Sequence, residues 1–169
     1  IHLIMESGEA GSVVAPHVLI VGEKHSNADV FIHYLGNDTD ARNLQLGMIQ
    51  TFAQKGSRIS ISKIEHVGSK TDIFTHERAT VSADATYVST AVHIGGRHVR
   101  HEACVNMLEA GGHTEIHEMH LARHKQKYDF YTEQNHLAPH CYSNLLFKGA
   151  VMDKARASYC GSINVAPEA

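Results

Sequence analysis

Short alternating runs recur along this chain every ten to fourteen residues, and that cadence confines it to a few all-β folds. They lie at 17–21, 29–34, 44–52, 57–67, 86–94, 98–107, 114–121, 129–134, 144–152 and 157–165. Each follows a period of two, and β-branched and aromatic residues are prominent in them, as expected of strands with two unlike faces. Short clusters of Gly, Asn, Asp and Lys separate them, such as Gly95-Gly96, Gly111-Gly112 and Gly36-Asn37-Asp38. No amphipathic helix interrupts the succession. A sandwich, a barrel and a solenoid all fit. A weak unit of turn plus alternating run recurs from Asp84 onward without an exact repeat length, as degenerate β-helix rungs would show.

A length of 169 residues with 43% hydrophobic content suffices for one buried core. No Ser/Gly-rich or acidic linker divides the chain, so residues 1–169 read as a single domain. The formal charge is −3 and the Lys and Arg residues are scattered along the sequence, which argues against a nucleic-acid partner. No apolar run behind a basic head opens the chain, and no stretch is apolar for long enough to span a bilayer, so the sequence predicts neither a signal peptide nor a membrane segment. Three widely spaced cysteines, Cys104, Cys141 and Cys160, make no disulfide framework and fit a reducing compartment, the cytoplasm. With no initiating Met, and with Ala169 falling inside an Ile-x-Val strand signal, the chain is expected to be a piece of a longer protein.

The C-terminal segment 129–169 carries the most specific pattern. Asp129 and Thr132 are followed by His136, a Ser-x-x-x-x-Lys-Gly unit (Ser143, Lys148, Gly149), Arg156, Gly161 and an Ile-x-Val-x-x-x-Ala ending (Ile163, Val165, Ala169). In order and spacing this resembles the B and D subunits of the Suf iron-sulfur cluster assembly machine. Upstream, Val18-Leu19-Ile20-Val21-Gly22, then Phe31 to Gly36, and a unit from Gly95 to Glu102 with Arg100 resemble the family's earlier rungs. The early Leu-Ile-Val-Gly rung and the unit of Cys141, Ser143, Leu146 and Lys148 are more similar to SufD than to SufB.

The resemblance implies a right-handed parallel β-helix and a scaffold that is not itself an enzyme. It implies pairing with a SufB-like sister subunit, a SufC-like ATPase partner, and an iron-sulfur cluster held transiently in the full complex with none resident on this piece. It also implies further rungs with a Cys-x-His-Gly-Ala segment and flanking helices that this chain does not contain. In the B subunit the residues matching Lys148 belong to a polar path through the β-helix that resembles a route for sulfur. Cys141, His136 and Lys148 are therefore the candidate cofactor contacts. An unpaired rung at the end of the run further predicts self-association.

The residues leave competing chemistry open. Nine of the fifteen histidines fall between His93 and His140. On a helix, His113, His117, His120 and His124 would share a face; on a strand His113 and His117 separate from His120 and His124, so no metal site is expected. Gly112, His117, His120 and Glu133 suggest a cupin-like metal-dependent barrel enzyme, but two residues between the histidines send the rings to opposite faces. No Cys-x-x-Cys closes a cluster locally, and the cysteines are expected to be small buried fillers. Alternation places Asn144, Leu146 and Lys148 on one face and Leu145, Phe147 and Gly149 on the other. If the first face lines the interior, Lys148 needs Asp129 or Glu133 as a partner; if it faces outward, Lys148 is a solvated surface residue.

Overall fold

A computed structural model describes residues 1–7, 9–167 and 169. The alternating runs become strands, and among the described residues no helix accompanies them. The order is β1 (His2–Ser7), β2 (Val13–Val14), β3 (His17–Gly22), β4 (Asn27–Gly36), β5 (Asn43–Ala53), β6 (Arg58–Val67), β7 (Thr71–Val81), β8 (Thr86–Gly95), β9 (His98–Met107), β10 (His113–Ala122), β11 (Lys127–His136), β12 (Tyr142–Val151) and β13 (Arg156–Val165). They form two sheets, β1-β4-β6-β8-β10-β12 and β13-β11-β9-β7-β5-β2, with β3 also on β5. From β3 onward successive strands alternate between the sheets and every pairing is parallel, so each circuit adds one strand to each wall: a parallel β-solenoid. The spacing changes from turn to turn, as Asn27↔Arg58↔Thr86↔His113↔Tyr142 shows, which is why no exact repeat length is visible in the sequence.

The side-chain period of two sends one row of each strand into the lumen and the other to solvent. Ile32, Ile49, Ile59, Ile61, Ile73, Val81, Val99, Met107 and Ile116 form the apolar part of that interior and are fully or almost fully buried. Each such side chain contributes roughly 1.5–3 kcal/mol.

The corners explain part of the histidine excess. His25, Asp84 and His140 have φ near +60° on one corner, and His124 and Asp153 do so on the other. Asn, Asp and His are the non-glycine residues most tolerant of that left-handed conformation. Backbone bonds from His25 N to Lys55 O, Gly56 N to Ala83 O, and Asp84 N to Ala110 O stack these turns into a ladder.

Every run found in the sequence lies on a strand. Three strands escape the pattern. β1 and β2 belong to the first turn, and β7 is the informative omission. Its inward row is Thr71, Ile73, Thr75, Glu77, Ala79 and Val81, while Phe74 lies on the outer row, so polarity is partly inverted and the run does not read as half-buried. The cupin expectation fails at this level, because a stack of parallel strands is not an antiparallel barrel. Among the described residues, no helix is long and apolar enough to cross a membrane.

Candidate functional site

The alternation that buries isoleucines also carries ionisable side chains into the lumen. In β6, Ile59, Ile61, Lys63, Glu65 and Val67 share the inward row. In β7 Glu77 follows Ile73 and Thr75, in β8 His93 follows Tyr87 and Ser89, in β9 His101 follows Val99, and in β10 Glu118 and His120 follow Ile116. Parallel register stacks them into columns. One column on the first sheet runs Tyr34–Glu65–His93–His120–Gly149. A column on the second sheet runs Gly47–Thr75–His101–Phe130–Tyr159.

Three acids and three bases meet at the centre. The Lys63 ammonium, 1% exposed, lies 3.5 Å from Glu77 Oε2 and 3.8 Å from Glu65 Oε1, and 3.1 Å from His101 Nδ1. His93 bridges two carboxylates, with Nδ1 2.6 Å from Glu65 Oε2 and Nε2 2.7 Å from Glu118 Oε2. Thr75 Oγ1 donates to Glu65 Oε1 at 2.9 Å, and the Tyr87 hydroxyl donates to Glu77 Oε1 at 2.7 Å. Glu118 Oε1 lies 3.2 Å from His101 Nε2 without a well-directed hydrogen bond.

Burial opposes every charge here, and the partners outweigh it. Against desolvation, Glu65 and Glu118 lift the His93 imidazole to about 9. Burial would raise the Glu65 carboxyl, but His93 and Lys63 bring it down to about 2. Glu77 and Glu118 are held below the usual carboxylate range in the same way, by Lys63 and His101 for the first and by His101 and His93 for the second. For Lys63, desolvation is overcome by Glu77 and Glu65, which raise it. Burial pushes the Tyr34 phenol up to about 12, and its hydroxyl finds no partner.

Beyond this cluster the lumen becomes aromatic. His93 stands 5.0 Å from the Phe130 ring, His120 lies between Phe130 at 4.9 Å and Phe147 at 5.3 Å, and Phe147 meets Tyr159 at 4.5 Å. Burial and the charge on His93 both lower the basicity of His120, and its Nδ1 is unpartnered. Gly149 makes room for this ring, since a Cβ there would fall 1.9 Å from His120 Cε1.

The residues singled out in the sequence are thereby placed. Lys148 faces outward with Asn144 and Leu146, while Leu145 and Phe147 pack toward the core; the ammonium inside the lumen belongs to Lys63. Neither proposed partner is near Lys148: Asp129, on the other sheet, binds His98 Nε2 at 2.9 Å and the Ser158 hydroxyl, and Glu133 accepts from Asn135. His136 Nε2 lies 2.9 Å from Ser143 Oγ, and Cys141 Sγ lies 3.4 Å from the Glu109 carbonyl in the turn between β11 and β12. Arg156 is exposed at the start of β13.

None of the cysteines is fully buried: Cys141 is half-buried and packs against the core, Cys104 is half-buried and Cys160 is exposed. Burial raises the Cys104 thiol, and Glu133 adds to this. The histidines divide three ways. His113 and His117 lie outward on either side of Glu115, His124 and His140 are turn residues, and His93, His101 and His120 are in the lumen. The cupin set is dispersed accordingly, with His117 outward and His120 inward. Among the described residues no group of three or more His, Cys, Asp or Glu side chains is arranged to hold a metal ion. The lumen acids and imidazoles are turned onto one another and onto Lys63.

Comparison with known proteins decides the family. Residues 3–169 match the model of the SUF system FeS cluster assembly, SufBD core domain. The chain belongs to the SufBD family. It is 26% identical to an iron-sulfur cluster assembly SufBD family protein of Mycobacterium leprae over the whole chain and 44% of that protein. A SufBD family protein of Mycobacterium tuberculosis is 27% identical over 88% of the chain and 36% of its own length. The chain thus spans less than half the length of these relatives. What it supplies is a SufBD core whose lumen carries six coupled ionisable groups, none of which sequence reasoning selected. The signal was present as parity: Lys63 and Glu65 share spacing with Ile59, Ile61 and Val67, Glu77 with Ile73 and Val81, and Glu118 with Ile116.

Proposed function

We propose that this chain is the core of a Suf-type scaffold subunit, closer to SufD than to SufB, that works in the cytoplasm beside a SufB-like sister subunit and a SufC-like ATPase while an iron-sulfur cluster is built. The match to the SufBD core over residues 3–169 carries this reading. A stack of parallel strands with an internally satisfied core is a rigid platform, suited to holding partners in register. The domain's part is structural and electrostatic, with no catalytic step of its own.

Within this reading the polar path implied by the family resemblance runs through Lys63, Glu65, His93 and Glu118. Any part Lys148 plays is exerted from the outer surface. Cys141 and His136, close together around the β11–β12 turn, are the proposed contacts to a transiently held cluster. The test is reconstitution of the full-length protein with its sister subunit and ATPase, reading both co-purification and cluster yield. The double variant Lys63→Met, Glu77→Gln removes one charge of each sign and keeps an acceptor for Tyr87, so the fold should survive. Normal complex formation with reduced cluster yield is expected. Failure of the wild-type protein to co-purify with either partner would sink the proposal, and an unchanged yield would remove the lumen charges from it.

A further inference from the structure

Lysines and arginines that look scattered along the sequence are gathered by the solenoid. The turns at 96–97, 123–126 and 152–155 lie one above another on one corner, with Arg156 N bonded to Gln126 O and Lys127 N to Arg97 O. Register then places Lys127 opposite both His98 and Arg156. Arg123, Lys125, Lys127, Lys154 and Arg156 all come to this corner, and all five are exposed.

The acids beside them are already engaged. Arg97 holds Asp72, the His124 N–H and ring hold Asp153, and His98 with Ser158 holds Asp129. Among the described residues the five cations have no ion-pair partner. Ser69, Arg97, His124, Lys125, Gln126, Asp153 and Lys154 line an open groove of about 610 Å³ on this corner. Its floor is fixed, since buried Gln126 donates to Gly96 O at 2.8 Å and accepts from Arg123 N at 2.7 Å. Toward the first turns the same corner carries both signs, with Glu6, Asp38 and Asp40 beside Lys70 and Arg42.

We propose that this corner is a docking surface for a carboxylate-rich segment of a partner protein, seated on Lys125, Lys154 and Arg156. Three observations favour that occupant. The cations sit on exposed, flexible stems in an open groove, whereas a small anionic ligand needs an enclosed pocket that buries most of its surface. Lys125, Lys154 and Arg156 lie on two adjacent turns, roughly 5 Å apart along the axis at the usual strand spacing, which suits a short segment. The net charge of −3 opposes an extended polyanion such as nucleic acid but not a short acidic segment. The surface is independent of the cluster-assembly reading and stands or falls separately from it.

The test uses a fluorescein-labelled decaglutamate peptide as probe, with anisotropy measured against the purified chain at low and at physiological salt. Binding that weakens with salt is expected, reduced about tenfold or more by the charge reversal Lys125→Glu, Lys154→Glu, Arg156→Glu. The reversal Lys24→Glu, Lys55→Glu, on the opposite corner, should leave it unchanged. The neutral variant Lys125→Gln, Lys154→Gln, with its circular dichroism spectrum, separates lost charge from lost fold and should give an intermediate loss. Equal binding by wild type and the triple variant would overturn the proposal. So would a single-stranded oligonucleotide of equal charge that binds as tightly as the peptide.

Discussion

Between β6 and β10 the central columns of the lumen carry ions among apolar rows, whereas from β11 to β13 the same columns are filled by rings. The contrast follows how each wall answers the same demand for burial. In the first region Lys63, Glu65, Glu77, His93 and Glu118 are removed from water and survive only because each carries a partner of opposite charge within reach. In the second, Phe130, Phe147 and Tyr159 need no counter-charge, but the ring of His120 needs space, and a glycine supplies it. Ionic packing is therefore sensitive to the loss of one member, and aromatic packing to added volume.

The largest effect should come from breaking the ionic region on one side only. Lys63→Met leaves three buried carboxylates short of a cation and should cost about 3–5 kcal/mol, read as a lowered midpoint in chemical denaturation. The paired change Lys63→Met, Glu77→Gln should recover most of that. A loss for the pair as great as for the single would mean that the charges do not balance one another.

In the aromatic region the expected effect is smaller. Gly149→Ala drives a methyl into the His120 ring and should cost about 1–3 kcal/mol, and His120→Ala in the same chain should relieve the clash. Denaturation curves of the two single variants and the double variant form the cycle that checks it.

The pH dependence separates the regions further. Glu65 is held at about 2 in the fold against an ordinary 4.5, so its contribution is complete above 4.5 and is lost as pH falls toward 2. His93 is raised to about 9 against an ordinary 6.5, so its contribution is complete below 6.5 and is lost as pH rises through 9. Stability should therefore be greatest between those two ordinary values and decline on both sides. Glu65→Gln should flatten the acid limb, which thermal unfolding across pH would show. The smallest effect belongs to the outer surface: Lys148→Met should change stability by no more than about 0.5 kcal/mol.

Much of the fold was legible because outward and inward rows differ where the inward row is apolar. Asn144, Leu146 and Lys148 separate from Leu145 and Phe147 by alternation alone, and the C-terminal pattern from Asp129 to Ala169 carries the family. β7 was not legible, since Thr75 and Glu77 point inward and Phe74 outward. The site was hidden for the same physical reason. Parity with Ile59 and Ile61 marks Lys63 as inward, but only the stacking that brings Glu77 and His101 around Lys63 and Glu65 makes its burial tolerable. Residues far apart in the chain meet there, and no local spacing encodes the meeting. The basic corner was hidden likewise, because Arg123, Lys125, Lys154 and Arg156 come together only through stacked turns.

A charged, mutually satisfied cluster occupies the middle of this SufBD lumen. Nitrogen NMR of the histidine side chains, with His93 assigned by comparison with His93→Gln, tests it most directly. Both His93 ring nitrogens should carry protons at neutral pH, and the ring should titrate near 9. A His93 that is neutral at pH 7, titrating at or below its ordinary 6.5, would contradict it.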